Sequence, residues 1–343
     1  MNLIETLSDL SRAHGPAGAE DQAAELAMTL LAPYVDEVSR DPLGNVIGRR
    51  VGNGPGAKRV LIEAHIDEVG FIVTGHRGSF LSLAPLGSID PRHLPGTRLR
   101  VLSDPRRVGV VACLPPHLLS KGDMDKVTGF DDTVLDLGLT EEETKQIPLG
   151  TPVVYDTEPL QIGETRFSGK AMDNRACVAA ILLVLEKLPR DLDIDLTVLF
   201  SVQEELGMRG AKTGAYATKP DVAVTLDVTF AHTPDASKEK TVPLGSGAAI
   251  GVGAILTRAV SNRLKHLAET ENIPYQVEVL ADKTSTTADM LQIAGTGAQT
   301  ALISLPLRYM HSASELVDLS DIEAVASLLA AFLLDLNGGA DHA

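Results

Sequence analysis

The chain has 343 residues, of which 44% are hydrophobic, and a formal net charge of −16. Its length allows one large domain and a smaller second one, and its composition is typical of a globular, soluble protein. The strong negative charge argues against binding to nucleic acid, whose phosphates would repel it. No apolar run is long enough to cross a bilayer, so we expect neither nucleic acid nor membrane among its partners.

Cysteine content and the first residues bear on the compartment. Cys113 and Cys177 are the only cysteines, too few for a disulfide framework and typical of a reducing cytoplasm. The segment Met1–Glu5 shows no basic stretch followed by an apolar core, so we expect no secretory signal. We therefore predict a cytoplasmic protein.

The first part of the chain mixes helical and strand patterns. Apolar residues at helical spacing predict helices over 2–12 and 20–33, separated by the glycines and proline of 14–18. Short apolar runs predict strands. These strands cover 35–38, 45–47 and 59–64.

The pattern changes between about 73 and 163, where short β-like runs alternate with glycine and proline. The predicted elements are strands over 80–83, 98–101, 108–112 and 152–155 and a short helix over 141–145. We predict a small β-rich, barrel-like domain over 73–163, inserted into a larger domain formed by 1–72 and 164–343.

Strands and helices alternate again from Phe167 onward. The predicted helices cover 173–188 and 258–271, and the predicted strands cover 194–202, 222–226, 275–280 and 300–305. A last helix is predicted to open with a capping box at Ser320–Glu323 and to stop at Gly338, whereas glycines at 245–247 and 251–253 suggest turns. Alternation of this kind predicts an α/β fold with a mostly parallel mixed sheet and helices on both faces.

Two adjacent acids, Glu204 and Glu205, follow the apolar run over 194–202. They fall at the C-terminal end of a predicted strand, where open α/β sheets place ligands. Neighbouring residues of extended chain point to opposite sides, so one carboxylate could hold a metal while the other reaches a water or proton. Alone, such a pair is more typical of a solvated turn or a helix start.

Further candidate ligands stand at or near the ends of other predicted elements. They are His65 with Asp67, Asp173, Asp227 and His311. Each has an ordinary alternative: Asp173 could cap its helix, Asp227 could form a turn and His311 could be a core histidine. Their coincidence at one edge of a sheet favours a shared site.

Carboxylates and imidazoles are ligands for hard or borderline divalent metals. Two histidines and three carboxylates suffice for two ions if one carboxylate bridges them. A free carboxylate nearby could then accept a proton from an attacking water. Asp67, two residues after His65, could orient its imidazole.

Five motifs occur in one order along the chain. They are Ala64-His-Ile-Asp-Glu-Val-Gly70, Lys170-Ala-Met-Asp-Asn-Arg175, Gln203-Glu-Glu-Leu-Gly207, Leu226-Asp-Val228 and Arg308-Tyr-Met-His-Ser312. Together they resemble the dimetal aminopeptidases of the glutamyl and deblocking type, whose members form tetrahedral particles. Similar segments at 14–18, 85–92 and 115–117 extend the resemblance over nearly the whole chain.

The resemblance implies a role for each candidate. His65 and Asp227 would hold one ion, Glu205 and His311 the other, and Asp173 would bridge them. Glu204 would be the general base. Asp67 would steer His65. Zn²⁺ or Co²⁺ fits this ligand set, and Mn²⁺ remains possible.

The resemblance also implies an architecture and an assembly. Its members have an α/β catalytic domain interrupted by a β-rich dimerisation domain, and they are commonly homo-oligomers, often dodecamers. Two positions depart from the family's pattern: Asn174 replaces an aspartate after the bridging residue, and Thr287 replaces one within Thr284–Ala288. We expect metal binding to survive the change at Asn174, with some change in the residues around the ligands. We expect the change at Thr287 to affect the substrate pocket more than the hydrolytic chemistry.

The sequence thus predicts an aminopeptidase that removes N-terminal residues from peptides through a dinuclear metal centre and a metal-bridging water. Two alternatives stay open. One is an amidase, deacylase or carboxypeptidase on the same dimetal scaffold. The other is a metal-binding assembly protein without catalysis, supported by Asn174 and the altered segment 284–288.

Overall fold

A computed structural model describes residues 1–54, 56–120, 122, 126, 127 and 129–338. The helices are α1 (Leu3–Arg12), α2 (Asp21–Leu31), α3 (Glu141–Thr144), α4 (Met172–Lys187), α5 (Arg209–Thr218), α6 (Arg258–Thr270), α7 (Ala288–Leu291) and α8 (Leu319–Asn337). The strands are β1 (Glu37–Arg40), β2 (Val46–Arg50), β3 (Arg59–His65), β4 (Gly70–Arg77), β5 (Phe80–Leu86), β6 (Arg98–Val101), β7 (Arg107–Val111), β8 (Val134–Asp136), β9 (Pro152–Tyr155), β10 (Leu160–Ile162), β11 (Arg166–Gly169), β12 (Asp195–Ser201), β13 (Val222–Phe230), β14 (Ala248–Gly253), β15 (Tyr275–Leu280), β16 (Gln299–Arg308) and β17 (Glu315–Asp318).

An 11-stranded mixed sheet forms the larger part of the molecule. Its strand order is β1-β2-β12-β3-β13-β16-β17-β11-β10, and β14 joins β15 to β16. The parallel pairs β12·β3, β3·β13 and β13·β16 lie at the centre, and the flanking strands β2, β17, β11 and β10 pair antiparallel. The central strands therefore end at one common edge.

Helices cover both faces of this sheet. Helices α1, α4, α6 and α8 pack on one face, and α5 and α7 pack on the other. Along β3 the side chains alternate accordingly: Val60 and Ile62 join the core beneath α4, whereas Leu61 joins the core beneath α5. This arrangement confirms the predicted α/β class. Within the described ranges, no helix combines the length and apolar character that a bilayer crossing requires.

The β-rich part is a closed six-stranded barrel in the order β4-β5-β8-β7-β6-β9. It has its own apolar core, in which the rings of Phe71 and Tyr155 meet edge to face at 5.6 Å. The barrel strands run from Gly70 to Tyr155, so the first begins before the predicted limit at 73. The domain limits at 73 and 163 stay a prediction.

Helix α5 and strand β14 are among the elements of the larger part that the sequence did not predict. Helix α5 contains glycines, which are poor helix formers. A Cβ on Gly210 would lie 2.4 Å from the carbonyl oxygen of Val202, and one on Gly214 would lie 2.6 Å from Leu199. These glycines let the helix pack closely on β12. Likewise, the expected turn at 251–253 is wrong, because Gly251 lies within β14, where a Cβ would be 2.9 Å from Leu256.

The expected capping box of the last helix is also wrong. Helix α8 begins one residue earlier, at Leu319, and its N-cap is Asp318. The carboxylate of Asp318 accepts hydrogen bonds from the main-chain N–H and the hydroxyl of Ser320. An aspartate is as good a cap as a serine, and its position at the end of β17 lets the strand lead directly into the helix.

Candidate metal centre and active site

The scattered candidates come together at the edge where the central strands end. His65 is the last residue of β3, Asp173 lies in the first turn of α4, and His311 lies in the loop after β16. Glu204 and Glu205 occupy the turn after β12. Asp227 was expected after its strand, but β13 continues to Phe230, so Asp227 lies within it. These six side chains line one cavity of about 890 Å³.

Asp173 lies at the centre of the cluster. Its Oδ1 atom is 3.1 Å from Nε2 of His65, and its Oδ2 atom is 3.2 Å from Nε2 of His311. Each imidazole also faces a second carboxylate: His65 Nε2 is 3.9 Å from Asp227 Oδ1, and His311 Nε2 is 3.2 Å from Glu205 Oε1. The cluster thus consists of two imidazole–carboxylate pairs that share Asp173.

Both imidazoles are oriented by main-chain carbonyls. Nδ1 of His65 lies 3.2 Å from the carbonyl oxygen of Asp67, and Nδ1 of His311 lies 2.6 Å from that of Ser88. A carbonyl oxygen only accepts, so Nδ1 carries the hydrogen in both rings. In the neutral ring, Nε2 therefore keeps its lone pair and directs it at the carboxylates, as a metal ligand requires.

The carboxylate of Asp67 has a role that the sequence did not indicate. It is 3.6 Å from Nδ1 of His65, but its Oδ1 and Oδ2 accept hydrogen bonds from the main-chain N–H groups of Glu204 and Glu205 at 2.9 and 3.1 Å. Asp67 thus contacts His65 through its main chain and fixes the Glu204–Glu205 turn through its side chain.

This turn changes how the two glutamates are disposed. Extended chain would send Glu204 and Glu205 to opposite sides, and that expectation is wrong because Gln203 has a left-handed backbone with φ 55° and a turn follows it. Both carboxylates consequently line the same cavity. His311 also has a left-handed φ, at 61°. Uncommon backbone conformations of this kind concentrate at functional sites.

Glu315 is a buried residue that the sequence analysis missed. Its Oε2 accepts a hydrogen bond of 3.0 Å from the main-chain N–H of Asp173, and its Oε1 accepts one of 2.7 Å from that of His311. The motif around His311 ends at Ser312 and so does not include Glu315. The only sequence signal for Glu315 was an acid at the start of a short strand. One side chain therefore fixes the backbone of two candidate ligands.

The two departures from the family's pattern fall in different surroundings. Asn174 is buried beside the cluster and donates a 2.8 Å hydrogen bond to the carbonyl of Leu226, and its Oδ1 has no partner among the described residues. Thr287 lies deeper, where its hydroxyl donates to the buried carboxylate of Glu63. Thr284 and Thr286 of the same segment, by contrast, line the cavity.

The cluster holds more carboxylates than cationic groups. Burial raises the pKa of Glu204 to about 8, with Glu205 and Asp67 adding to the effect. Burial likewise raises the pKa of Glu205, Asp227 and Glu315. The pKa of His311 rises to about 11 because Asp173 and Glu205 outweigh the opposing effect of burial. The interior therefore favours added positive charge.

Divalent cations fit this donor set. Ligand atoms of His65, Asp173 and Glu205 lie within 4.8 Å of one another, and oxygen and imidazole nitrogen are donors that such ions accept. An ion would supply the positive charge that several buried carboxylates otherwise lack. The residues present therefore suit a metal centre.

The fold and this cluster define a class of protein: an α/β protein with an inserted barrel and a site suited to metal ions. Residues 44–328 match the family described as M42 glutamyl aminopeptidase. The chain therefore belongs to the M42 glutamyl aminopeptidase family. Membership confirms the predicted resemblance and the predicted aminopeptidase class, and it implies divalent metal ions.

Individual proteins of similar sequence and structure agree with this assignment. The chain is 32% identical to the lysyl aminopeptidase of Pyrococcus furiosus over 97% of each chain. Among solved structures, it is similar to aminopeptidase APDkam598 of Desulfurococcus kamchatkensis, with a TM-score of 0.90 and 35% identity over 96% of this chain and 94% of the other. It is also similar to the TET1 peptidase of Pyrococcus horikoshii, which can assemble into a tetrahedron or a large octahedral shell (TM-score 0.85, 27% identity, coverage 97% and 99%).

Proposed function

We propose that this chain releases N-terminal residues from peptides by means of two divalent metal ions per subunit. His65 and Asp227 would hold one ion, Glu205 and His311 the other, and Asp173 would bridge them. The observation that carries the proposal is the position of Asp173, whose two oxygens lie 3.1 and 3.2 Å from Nε2 atoms of different histidines.

The ion pair would supply a Lewis acid for the scissile carbonyl and a water of lowered pKa. Zn²⁺ or Co²⁺ fits the two imidazoles and three carboxylates, and Mn²⁺ is the further candidate. The buried carboxylates that accept hydrogen bonds from main-chain N–H groups would fix the positions of the ligands. Their burial would keep water from competing for these hydrogen bonds.

Glu204 is the proposed general base. Its carboxylate lines the cavity and, among the described residues, accepts no hydrogen bond. Burial raises its pKa, and a raised pKa makes a carboxylate a stronger proton acceptor. Glu204 would take a proton from the attacking water and deliver it to the nitrogen of the departing peptide.

We place the enzyme in the cytoplasm as a homo-oligomer, in the form of a dodecamer. Support for subunit association comes from the shell formed by the Pyrococcus horikoshii relative and from apolar side chains exposed on the barrel. Val108 and Val110 on β7 are 40% and 44% exposed, and such surface is suited to burial against another subunit. The barrel would thus be the dimerisation domain.

The activity is tested with metal-loaded enzyme on three substrate classes: aminoacyl p-nitroanilides, N-acylated amino acids, and peptides blocked at the N-terminus with a free C-terminus. The proposal predicts turnover of the first class alone. Turnover of the acylated amino acids would indicate a deacylase, and turnover of the blocked peptides a carboxypeptidase. If the metal-loaded protein hydrolyses none of the three substrate classes, the result would indicate an assembly protein without catalysis.

The side chain that is preferred at the substrate's N-terminus does not follow from the relatives. The Pyrococcus furiosus relative is named for lysine, whereas the family is named for glutamate. These side chains carry opposite charges, so the preference has to be inferred from the residues that line the cavity of this chain.

A further inference from the structure

The cavity contains a second acidic feature, set apart from the metal cluster. Glu278 on β15 is half-buried in the cavity wall. We propose, on the basis of the function proposed above, that Glu278 binds a cationic side chain of the residue to be released. The enzyme would then prefer substrates that begin with lysine or arginine.

Two hydroxyl groups hold the carboxylate of Glu278 in place. Its Oε2 accepts a 2.7 Å hydrogen bond from the hydroxyl of Ser304, and its Oε1 accepts one from the hydroxyl of Thr229. Within the described part of the chain these are its only side-chain partners, and neither is a cation. Each carboxylate oxygen can accept more than one hydrogen bond, so the group is held in place and still able to bind an ammonium.

The residues that hold Glu278 are neighbours of the proposed ligand Asp227 in the sheet. Thr229 follows the proposed ligand Asp227 by two residues on β13, so their side chains lie on one face, about 7 Å apart along the strand. Ser304 on β16 is the register partner of Asp227. The carboxylate of Glu278 is thus held by one residue beside Asp227 and by another two positions further along β13. This spacing is comparable with the reach of a lysine's four-carbon stem.

Apolar side chains form a further part of the cavity wall. Leu280, Leu302 and Met310 line the cavity as well. A lysine side chain buries its methylene stem along apolar surface and places its charged end at a polar group. The cavity offers both an apolar wall and a carboxylate, whereas an acidic side chain that reached Glu278 would be repelled.

Charge elsewhere on the molecule is compatible with this preference. Lys238, Lys240 and Lys283 also line the cavity, and all three are exposed. Among the described residues none of them forms an ion pair with Glu278, and they can attract the carboxyl end of a peptide. The net charge of −16 favours the approach of cationic substrates.

The test compares lysyl, norleucyl, leucyl and glutamyl p-nitroanilides with the full-length, metal-loaded enzyme. Norleucine matches the lysine stem but lacks the ammonium, so their ratio isolates the charge. We expect kcat/KM for the lysyl substrate to exceed that for the norleucyl substrate. Substitution Glu278→Gln keeps the shape and the hydroxyl contacts, and it should lower lysyl kcat/KM about 10–100-fold, as expected for a charged hydrogen bond. Activity on norleucyl and leucyl substrates should stay within about twofold.

The matched control is Glu239→Gln, which removes an exposed acid from the same cavity. This variant should not change the relative kcat/KM values of the four substrates. Equal loss on all four substrates in Glu278→Gln would show a structural role and overturn the inference while leaving the aminopeptidase in place. A preference for the glutamyl substrate would overturn it as well. Absence of turnover on every aminoacyl substrate would refute the proposed function first, and this inference with it.

Discussion

The Oδ1 atom of Asp67 accepts a 2.9 Å hydrogen bond from the main-chain N–H of Glu204. The other oxygen accepts the next N–H, that of Glu205, at 3.1 Å. Asp67 is fully buried, and its main-chain carbonyl also orients His65. A single residue therefore links a proposed ligand of one ion to the proposed base and to a ligand of the other ion.

Substitution Asp67→Asn tests this link. An asparagine offers one acceptor and one N–H, so one of the two main-chain donors would face another donor, and the Glu204–Glu205 turn would shift. We expect kcat to fall about 10–100-fold, the usual cost of disturbing groups that orient metal ligands. Steady-state kinetics together with metal content measure the effect.

Asp321→Asn is a matched control. Asp321 is fully buried and accepts hydrogen bonds of 2.7 Å from the main-chain N–H groups of Gly245 and Gly247, so it makes the same kind of contact elsewhere in the fold. This variant should lose stability but keep its kcat. Equal losses of kcat in the two variants would show that Asp67 acts on the fold in general.

The substitution Glu204→Gln isolates the proposed base. The amide keeps the size of the side chain but cannot accept a proton, so kcat should fall by a factor of about 10²–10⁴. Metal content should match that of the unaltered enzyme, since Glu204 is not one of the proposed ligands. Near-normal turnover in this variant would remove Glu204 from the mechanism.

Glu315→Gln should weaken metal binding more than the chemical step. The amide can accept from the N–H of Asp173 or of His311, but not from both in the present geometry. We expect the dissociation constant of the more weakly bound ion to rise about 10–100-fold, with kcat recovering at saturating metal. Titration with a competing chelator measures the constant. An unchanged constant with a reduced kcat would contradict this role.

Glu63 gives a prediction about stability and pH. It is fully buried beneath the cluster, where the hydroxyl of Ser201 donates to it at 2.6 Å. Burial raises its pKa from 4.5 to about 7. Between these values the folded chain holds a proton that the unfolded chain has lost, so the stability of the folded state falls as pH rises.

Glu63→Gln cannot ionise and should escape that loss. Relative to the unaltered protein, the variant should gain stability between pH 5 and pH 8, by up to about 3 kcal/mol. Melting temperatures at the two pH values, at one protein concentration, provide the measurement. A difference between the two proteins that is the same at both pH values would refute this account of Glu63.

Sequence patterns predicted the architecture well where local chemistry agrees with packing. The run over 194–202 and the helix after Asp173 have apolar patterns that match their buried environment. Helix α5 was missed because its glycines oppose helix formation locally and are justified only by close contact with β12. Contacts of this kind are tertiary and leave no periodic signal.

The candidate site likewise contains residues that the sequence identified and contacts that it did not predict. His65, Asp173 and His311 could be singled out because they stand in motifs. Glu315 and the carboxylate contacts of Asp67 could not, since their contacts with the main-chain N–H groups of Asp173 and Glu204 join residues that are distant in sequence. The disposition of Glu204 and Glu205 depended on a left-handed residue at Gln203, which the sequence around it does not signal.

The number of metal ions per subunit tests the central claim most directly. Elemental analysis of the active enzyme, set beside Asp173→Ala and the exposed control Asp193→Ala, gives that number together with activity. We predict two ions per subunit in the enzyme and in the control, and loss of both metal and activity in Asp173→Ala. An enzyme that turns over with one ion or none, or an Asp173→Ala variant that keeps two ions and full activity, would contradict a centre bridged by Asp173.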